Sequence, residues 1–316
     1  MRLGDHLAPG TIFIGTTCDN QEVPDTERRV GKMRVVDDAA EVASAGGWVI
    51  QTHAAVDVGS LVPRTFEAYA RIFHPAMREA DERDLPLRAC GESRTGAPIH
   101  RPSHGVIRQD VSWREVADAN GTLAHPAMEW TAITGRYELS WSGTQPGVWD
   151  EVPRRGSLPH HLTSVLCGIL AAFTATPNRC WCAIWEGCAR IAALRSDTTL
   201  PRLGLPHRPM VLTDGPLSGV PDTTFRDPTP ELSDDRLRWQ PVERYQSPSL
   251  WWPDDRAWCV ATDVDLQTTY IGASTDCVDR LIGDRRVEAM RVPADQDISL
   301  DADTVNPPPS GDRAKA

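Results

Sequence analysis

The chain has 316 residues, 40% hydrophobic and 24% charged, enough to bury a substantial core in one large domain or two smaller ones. Its 44 acidic against 33 basic residues leave a net charge of -11, and without a basic stripe this argues against nucleic-acid binding. No stretch approaches the roughly 20 apolar residues that cross a bilayer, and no signal-length apolar run opens the chain, so it is expected in the cytoplasm with its 8 cysteines reduced.

In chain order, residues 10–15 suggest a short strand and 18–32 a polar loop. Residues 37–45 favour a helix stopped by Gly46-Gly47, with Trp48 to Ile50 extended after it. The segment 66–74 (FEAYARIFH) fits either element; its shortness, its aromatics and Pro75 favour a strand. Residues 78–110 lack periodicity and read as a long mobile insertion. Ser112 with Glu115 forms a capping box for a helix that Asn120-Gly121 ends. A second helix is expected from Pro126 to about Thr134.

The strongest helical pattern is 158–173, where Leu162, Val165, Leu166, Ile169, Leu170 and Phe173 recur at spacings of three and four after a Ser157 cap. Residues 179–186 (RCWCAIWE) and 256–265 (RAWCVATDVD) read as strands apolar on both faces, hence central in a sheet. Met210 to Leu212 is a shorter strand candidate, and 216–249 a surface loop. Ser274 caps a helix ending at Gly283, and a strand follows at 287–292; a strand, helix and strand in that order permit a parallel crossover. The last residues contain Pro307-Pro308-Pro309 and are expected to be disordered.

No dinucleotide fingerprint, P-loop, HExxH, GxSxG or CxxC occurs, so motif-bearing dehydrogenases, NTPases, zinc proteases and α/β-hydrolases are disfavoured. His74, at a strand end before Pro75, could titrate near neutrality at a sheet rim, or be a hydrogen-bonded structural histidine. Asp263 and Asp265 share a strand face and could bind a divalent cation, or mark a strand end turning to solvent. With Glu186 these form the catalytic candidates. Cys180 and Cys182, two apart, could join Cys188 at zinc, but a fourth ligand is not apparent; small buried core thiols are the alternative. His160-His161 opens a helix, where neutral imidazoles could bind metal or move protons, or lie idle. Arg71, Trp185, Trp251, Trp252 and Tyr270 could line a ligand site, because exposed aromatics near acids hold sugars, cations or protein partners; plain packing is the rival for most of the 11 tryptophans.

The runs FEAYARIFHP (66–75), SWREVADANG (112–121), TATPNRCWCAIWEG (174–187) and QSPSLWWPDDRAWCVATDVDLQTTYIGAS (246–274) resemble a family of uncharacterised actinobacterial proteins. The resemblance covers most of residues 56–293, implies that 1–50, 78–110 and the tail are peripheral, and transfers no catalytic residue. The expected fold is α+β: a single mixed β-sheet packed with helices and carrying long surface loops. The expected organisation is a weakly patterned segment 1–55, one globular domain 56–293 with the 78–110 insertion and 216–249 loop, and a disordered tail 294–316. The expected function is a non-catalytic cytosolic protein binding a protein partner or small ligand, in the style of immunity or regulatory proteins, with no cofactor, nucleic acid or membrane. The alternative is a hydrolase or transferase with a His/Asp site.

Overall fold

The structure, a computed structural model, describes residues 29–50, 56–81, 106–188, 191–205, 208–226 and 243–312. The expected strand at 10–15 lies outside them. In chain order the elements are β1 (Arg29–Val30), β2 (Met33–Val35), α1 (Ala39–Gly46), α2 (Val58–Leu61), β3 (Ala68–Phe73), β4 (Ala76–Asp81), β5 (Val106–Val111), α3 (Trp113–Asn120), α4 (Trp130–Thr134), α5 (His160–Leu170), β6 (Cys180–Trp185) and α6 (Ala192–Ser196). They continue with β7 (Leu203–Leu205), β8 (Arg208–Gly215), β9 (Thr224–Arg226), β10 (Glu243–Tyr245), β11 (Leu250–Pro253), β12 (Cys259–Ala261), β13 (Thr268–Ala273), α7 (Thr275–Ile282) and β14 (Ala289–Val292).

Helices and one large sheet confirm the α+β class. Ten strands form that sheet, in the order β1-β2-β8-β6-β11-β12-β13-β3-β14, with β7 sharing the β2 edge of the longer β8. Its ladders among the described strands are all antiparallel. The crossover β13–α7–β14 does leave two strands pointing the same way, but both pair with β3 between them rather than with each other. Two separate hairpins, β4–β5 and β9–β10, stand outside the sheet. They occupy the ends of the stretches read as a mobile insertion and a surface loop; 82–105 and 227–242 lie outside the described residues.

β3 is buried at every position, which a strand with neighbours and layers on both sides requires. Its alternate residues sort the core. Ala70 and Ile72 face one side, with Val260, Ile271, Trp251, Trp258 and the inner faces of α5 and α7. Tyr69 faces the other, with Trp181, Trp252, Tyr270 and the residues around α1 and α2. A third cluster builds on the end of β3: Phe73, Trp113, Trp130 and Trp149 follow one another at ring-centroid distances of 5.1, 5.4 and 5.3 Å. Each indole N–H there is used, by the His74 and Leu139 carbonyls and the Gln145 side chain, as buried tryptophans require.

The capping box of α3 forms as expected: the Ser112 hydroxyl takes the Glu115 N–H (3.1 Å) and Glu115 takes the Ser112 N–H (2.9 Å). Gly121 ends the helix at φ +68°, a left-handed conformation that glycine adopts without strain. Helix α4 starts at Trp130 rather than Pro126, whose carbonyl is taken by Arg71 (3.2 Å). Helix α5 starts at His160 with no side-chain cap, because the Ser157 hydroxyl accepts the Ser247 N–H instead. Trp48 and Val49 form a helical turn, not an extended segment.

Three expectations about organisation are corrected. Residues 29–50 are integral, supplying two strands and a helix of the second face. The interior strand expected at 256–265 shrinks to β12, and the neighbouring β11 (Leu250–Pro253) provides the missing ladder to β6. The tail as far as 312 is docked rather than disordered. Val58 and Gly59 donate to the Gln296 and Ala294 carbonyls, Ile298 and Ala302 are buried, and Asn306 pairs through its side chain with both backbone groups of Leu123.

Candidate functional site

The sheet separates the residues proposed as one catalytic set. His74 continues the Ala70–Ile72 face and is wholly buried. The Arg154 carbonyl, which can only accept, lies 2.6 Å from Nδ1 and so fixes the proton there. Nε2 then accepts from the Thr269 hydroxyl (2.8 Å), which in turn takes the Thr262 hydroxyl (2.7 Å). Burial pushes the imidazole down to about 4, with the Arg154 and Arg71 charges acting in the same direction. This is a sealed, neutral structural histidine.

Asp263 is on the other face. The chain turns after β12, and Asp263 Oδ1 accepts the Asp265 N–H (2.9 Å) in an aspartate turn. Both carboxylates reach Arg208, at 3.2 and 2.6 Å, and the guanidinium lies 5.5 Å from the Trp185 ring centre. Glu186 is engaged elsewhere, by Arg202 (3.0 Å). His74, Asp263, Asp265 and Glu186 therefore do not form one catalytic site.

The cysteines do not converge either. Cys180 and Cys182 lie buried on one strand face, whereas Cys188 packs in a separate cluster with Ile184 and Val211. Among the described residues, no three His, Cys, Asp or Glu side chains gather as metal ligands. His161 Nε2 meets Asp110 Oδ2 at 2.7 Å, a contact across elements that sequence spacing does not reveal.

The proposed ligand-binding residues divide. Trp251 and Trp252 are buried on opposite faces of β11, and Tyr270 is buried too. Arg71 is sealed in the core, where it pairs with Glu129 (2.7 Å) and lies over Phe73, Trp113 and Tyr270 at 5.0, 5.8 and 5.9 Å. Burial pushes the Glu129 carboxyl up to about 7 despite the neighbouring guanidinium. The docked tail completes this network: Asp303 accepts from His125 Nε2 and from the N–H groups of Glu129, Val305 and Asn306.

Trp185 of this set borders a ligand-sized opening. This cleft, of about 180 Å³, lies on the α1–α2 face where β6 and β12 end and β8 and β11 begin. Leu61, Leu205, Met210 and Ala261 supply apolar walls, and Trp185, Arg208 and Asp263 its charged, aromatic side. Ser60, Ser249 and Thr262 complete the lining. The sequence singled out Trp185 and Asp263; Arg208, which joins them, was hidden because it comes from a strand distant in the chain.

No protein family, curated protein or solved structure matches this chain.

Proposed function

We propose that this chain is a non-catalytic binding protein whose cleft takes a small, largely apolar ligand with one polar end. The observation that carries the reading is the cleft itself: apolar walls beside a Trp185–Arg208–Asp263 group whose guanidinium is held by the Asp263 and Asp265 carboxylates. Such a site can orient a ligand through a stacked ring and a few directed polar bonds. It holds no poised acid–base pair, so the hydrolase or transferase alternative built on His74 loses its support. A small ligand is favoured over a protein partner by the surface. The large apolar side chains exposed among the described residues are Ile50, Val56, Leu123, Trp141 and Val305, and the Arg155 guanidinium covers the Trp141 ring at 3.6 Å.

A cytoplasmic location belongs to the same proposal, supported by free Cys180 and Cys182 thiols side by side on one strand. So does membership of the actinobacterial family resembled by the sequence. No described helix is long and apolar enough to cross a membrane.

The test is a fragment screen by ligand-observed NMR, with molecules of up to about 12 non-hydrogen atoms, a size suited to so small a cleft. Hits should lose binding in Trp185→Ala and in Leu205→Trp, which fills the mouth. Hits that bind both variants as well as the parent protein, or the absence of hits, would refute the reading.

A further inference from the structure

The same face carries a second opening, of about 220 Å³, between α1 and the starts of β6 and the β11–β12 turn. Its character differs from the first: Glu41, Arg179, Asp254 and Arg256 supply two charges of each sign, with Trp181 and Trp252 beneath them. Arg179 is shared by Glu41 (3.3 Å) and Asp254 (3.8 Å), and the Trp181 indole N–H also goes to Asp254 (2.9 Å). These bonds, with that from Arg34, fall on Glu41 Oε1 and Asp254 Oδ1. Among the described residues no bond falls on the second oxygen of either carboxylate.

Arg256 is the odd member. Its φ is +56°, the left-handed region, and among the described residues it is the single non-glycine residue held there. Glycine would adopt this turn without strain, so the conformation does not account for an arginine. The turn is rigidly seated. Arg256 N–H donates to the Pro253 carbonyl (2.9 Å), and Asp255 accepts from the Thr174 hydroxyl (2.9 Å) and the Ala175 N–H (2.6 Å). The guanidinium lies 5.4 Å from the Trp48 ring centre at the cleft edge. Its bond to the protein is a long one to the Ser44 carbonyl (3.4 Å), and no carboxylate of the described residues forms an ion pair with it.

A cleft lined by two residues of each charge, among them a guanidinium with no ion pair to the described residues, matches a dipolar molecule. We infer that this second cleft binds a small zwitterion of the α-amino acid class, its carboxylate on Arg256 and its ammonium on Asp254 and Glu41. Charge-assisted bonds of both signs give such a ligand an advantage that neither a simple anion nor a simple cation shares.

The indole N–H of Trp181, bonded to Asp254, is the reporter. L-Alanine, acetate and methylammonium are titrated separately into the ¹⁵N-labelled full chain, with the signal assigned through Trp181→Phe. L-Alanine should shift the signal saturably, and acetate and methylammonium should each bind about tenfold or more weakly, each lacking one charged anchor. Arg256→Gly should abolish the response while leaving the urea midpoint unchanged or higher, since the substitution relieves the strained turn. Asp254→Asn should weaken binding independently. No saturable shift, acetate binding as tightly as alanine, or an Arg256→Gly protein that binds normally would each overturn the inference.

Discussion

The buried pair Arg71–Glu129 makes an asymmetric prediction. Replacing Glu129 with Met strands a guanidinium that cannot lose its proton, among aromatic rings and with the Pro126 carbonyl as its near acceptor. Breaking a buried pair this way should cost about 3–5 kcal/mol, a large share of the roughly 5–15 kcal/mol that holds a domain folded. Replacing Arg71 with Met strands a carboxyl instead. Burial already holds that group at about 7 with its partner present, and removing the positive charge raises it further. The carboxyl then protonates near neutral pH, and the cost falls to about 1–3 kcal/mol. The Arg71→Met penalty should therefore grow as pH rises from 6 to 9, while the Glu129→Met penalty falls as pH rises to about 7, where the parent's raised carboxyl loses its own contribution, and is flat above. The double variant should regain part of the loss, because a matched apolar pair is no longer a stranded charge. Urea unfolding followed by tryptophan fluorescence, at several pH values, measures all three. Equal, pH-independent penalties for the two single variants would refute the reasoning.

Stability should also respond to pH through other buried groups. Burial pushes Glu288 up to about 7, against the pull of the Arg114 and Trp113 N–H groups it caps. A raised acid binds its proton more tightly when folded, so its contribution is full below about 4.5 and lost as pH rises through about 7; Glu288→Gln should flatten that decline, by up to about 1.4 kcal/mol per pH unit. His74, held low, acts in the opposite sense: its contribution is full above about 6.5 and is lost as pH falls through about 4. Both trends are readable from urea midpoints across pH 4–8. Ending the chain at Val292 should destabilise it by at least about 3 kcal/mol, since it exposes the sites of Ile298 and Ala302 and orphans the Val58 and Gly59 N–H groups. A neutral truncation would show that the tail does not dock.

Local signals were the legible part of this fold. The Ser112–Glu115 box, the Gly121 stop, the periodic face of α5 and the doubly apolar β6 each follow from neighbouring residues, and each forms. What failed depends on distance in the chain. Trp251 and Trp252 read as possible lining of a ligand site, yet β11 is an interior strand, laddered by β6 on one side and β12 on the other. The tail looked disordered by composition, but its polar residues are the ones that work: Asp303 and Asn306 satisfy backbone groups around 123–129. At the site, strand parity predicts that Asp263 and Asp265 share a face, but the turn after β12 joins them through Arg208 instead. His74 was rightly placed at a strand end, and only the Thr269 and Arg154 partners reveal that the end is sealed.

The position of β3 carries a consequence for biogenesis. Both of its ladder partners come from the last fifth of the chain; His74, just past its end, meets Thr269 across 195 residues. At 5–20 residues per second, a ribosome needs about 10–40 s to deliver those partners. Throughout that interval a six-residue strand, apolar but for Arg71, has no edge to join. Pairing so remote also makes the final closure slow. Nascent chains of this protein should therefore depend on a holding chaperone early, and a stalled product lacking β13 should be removed rather than stored.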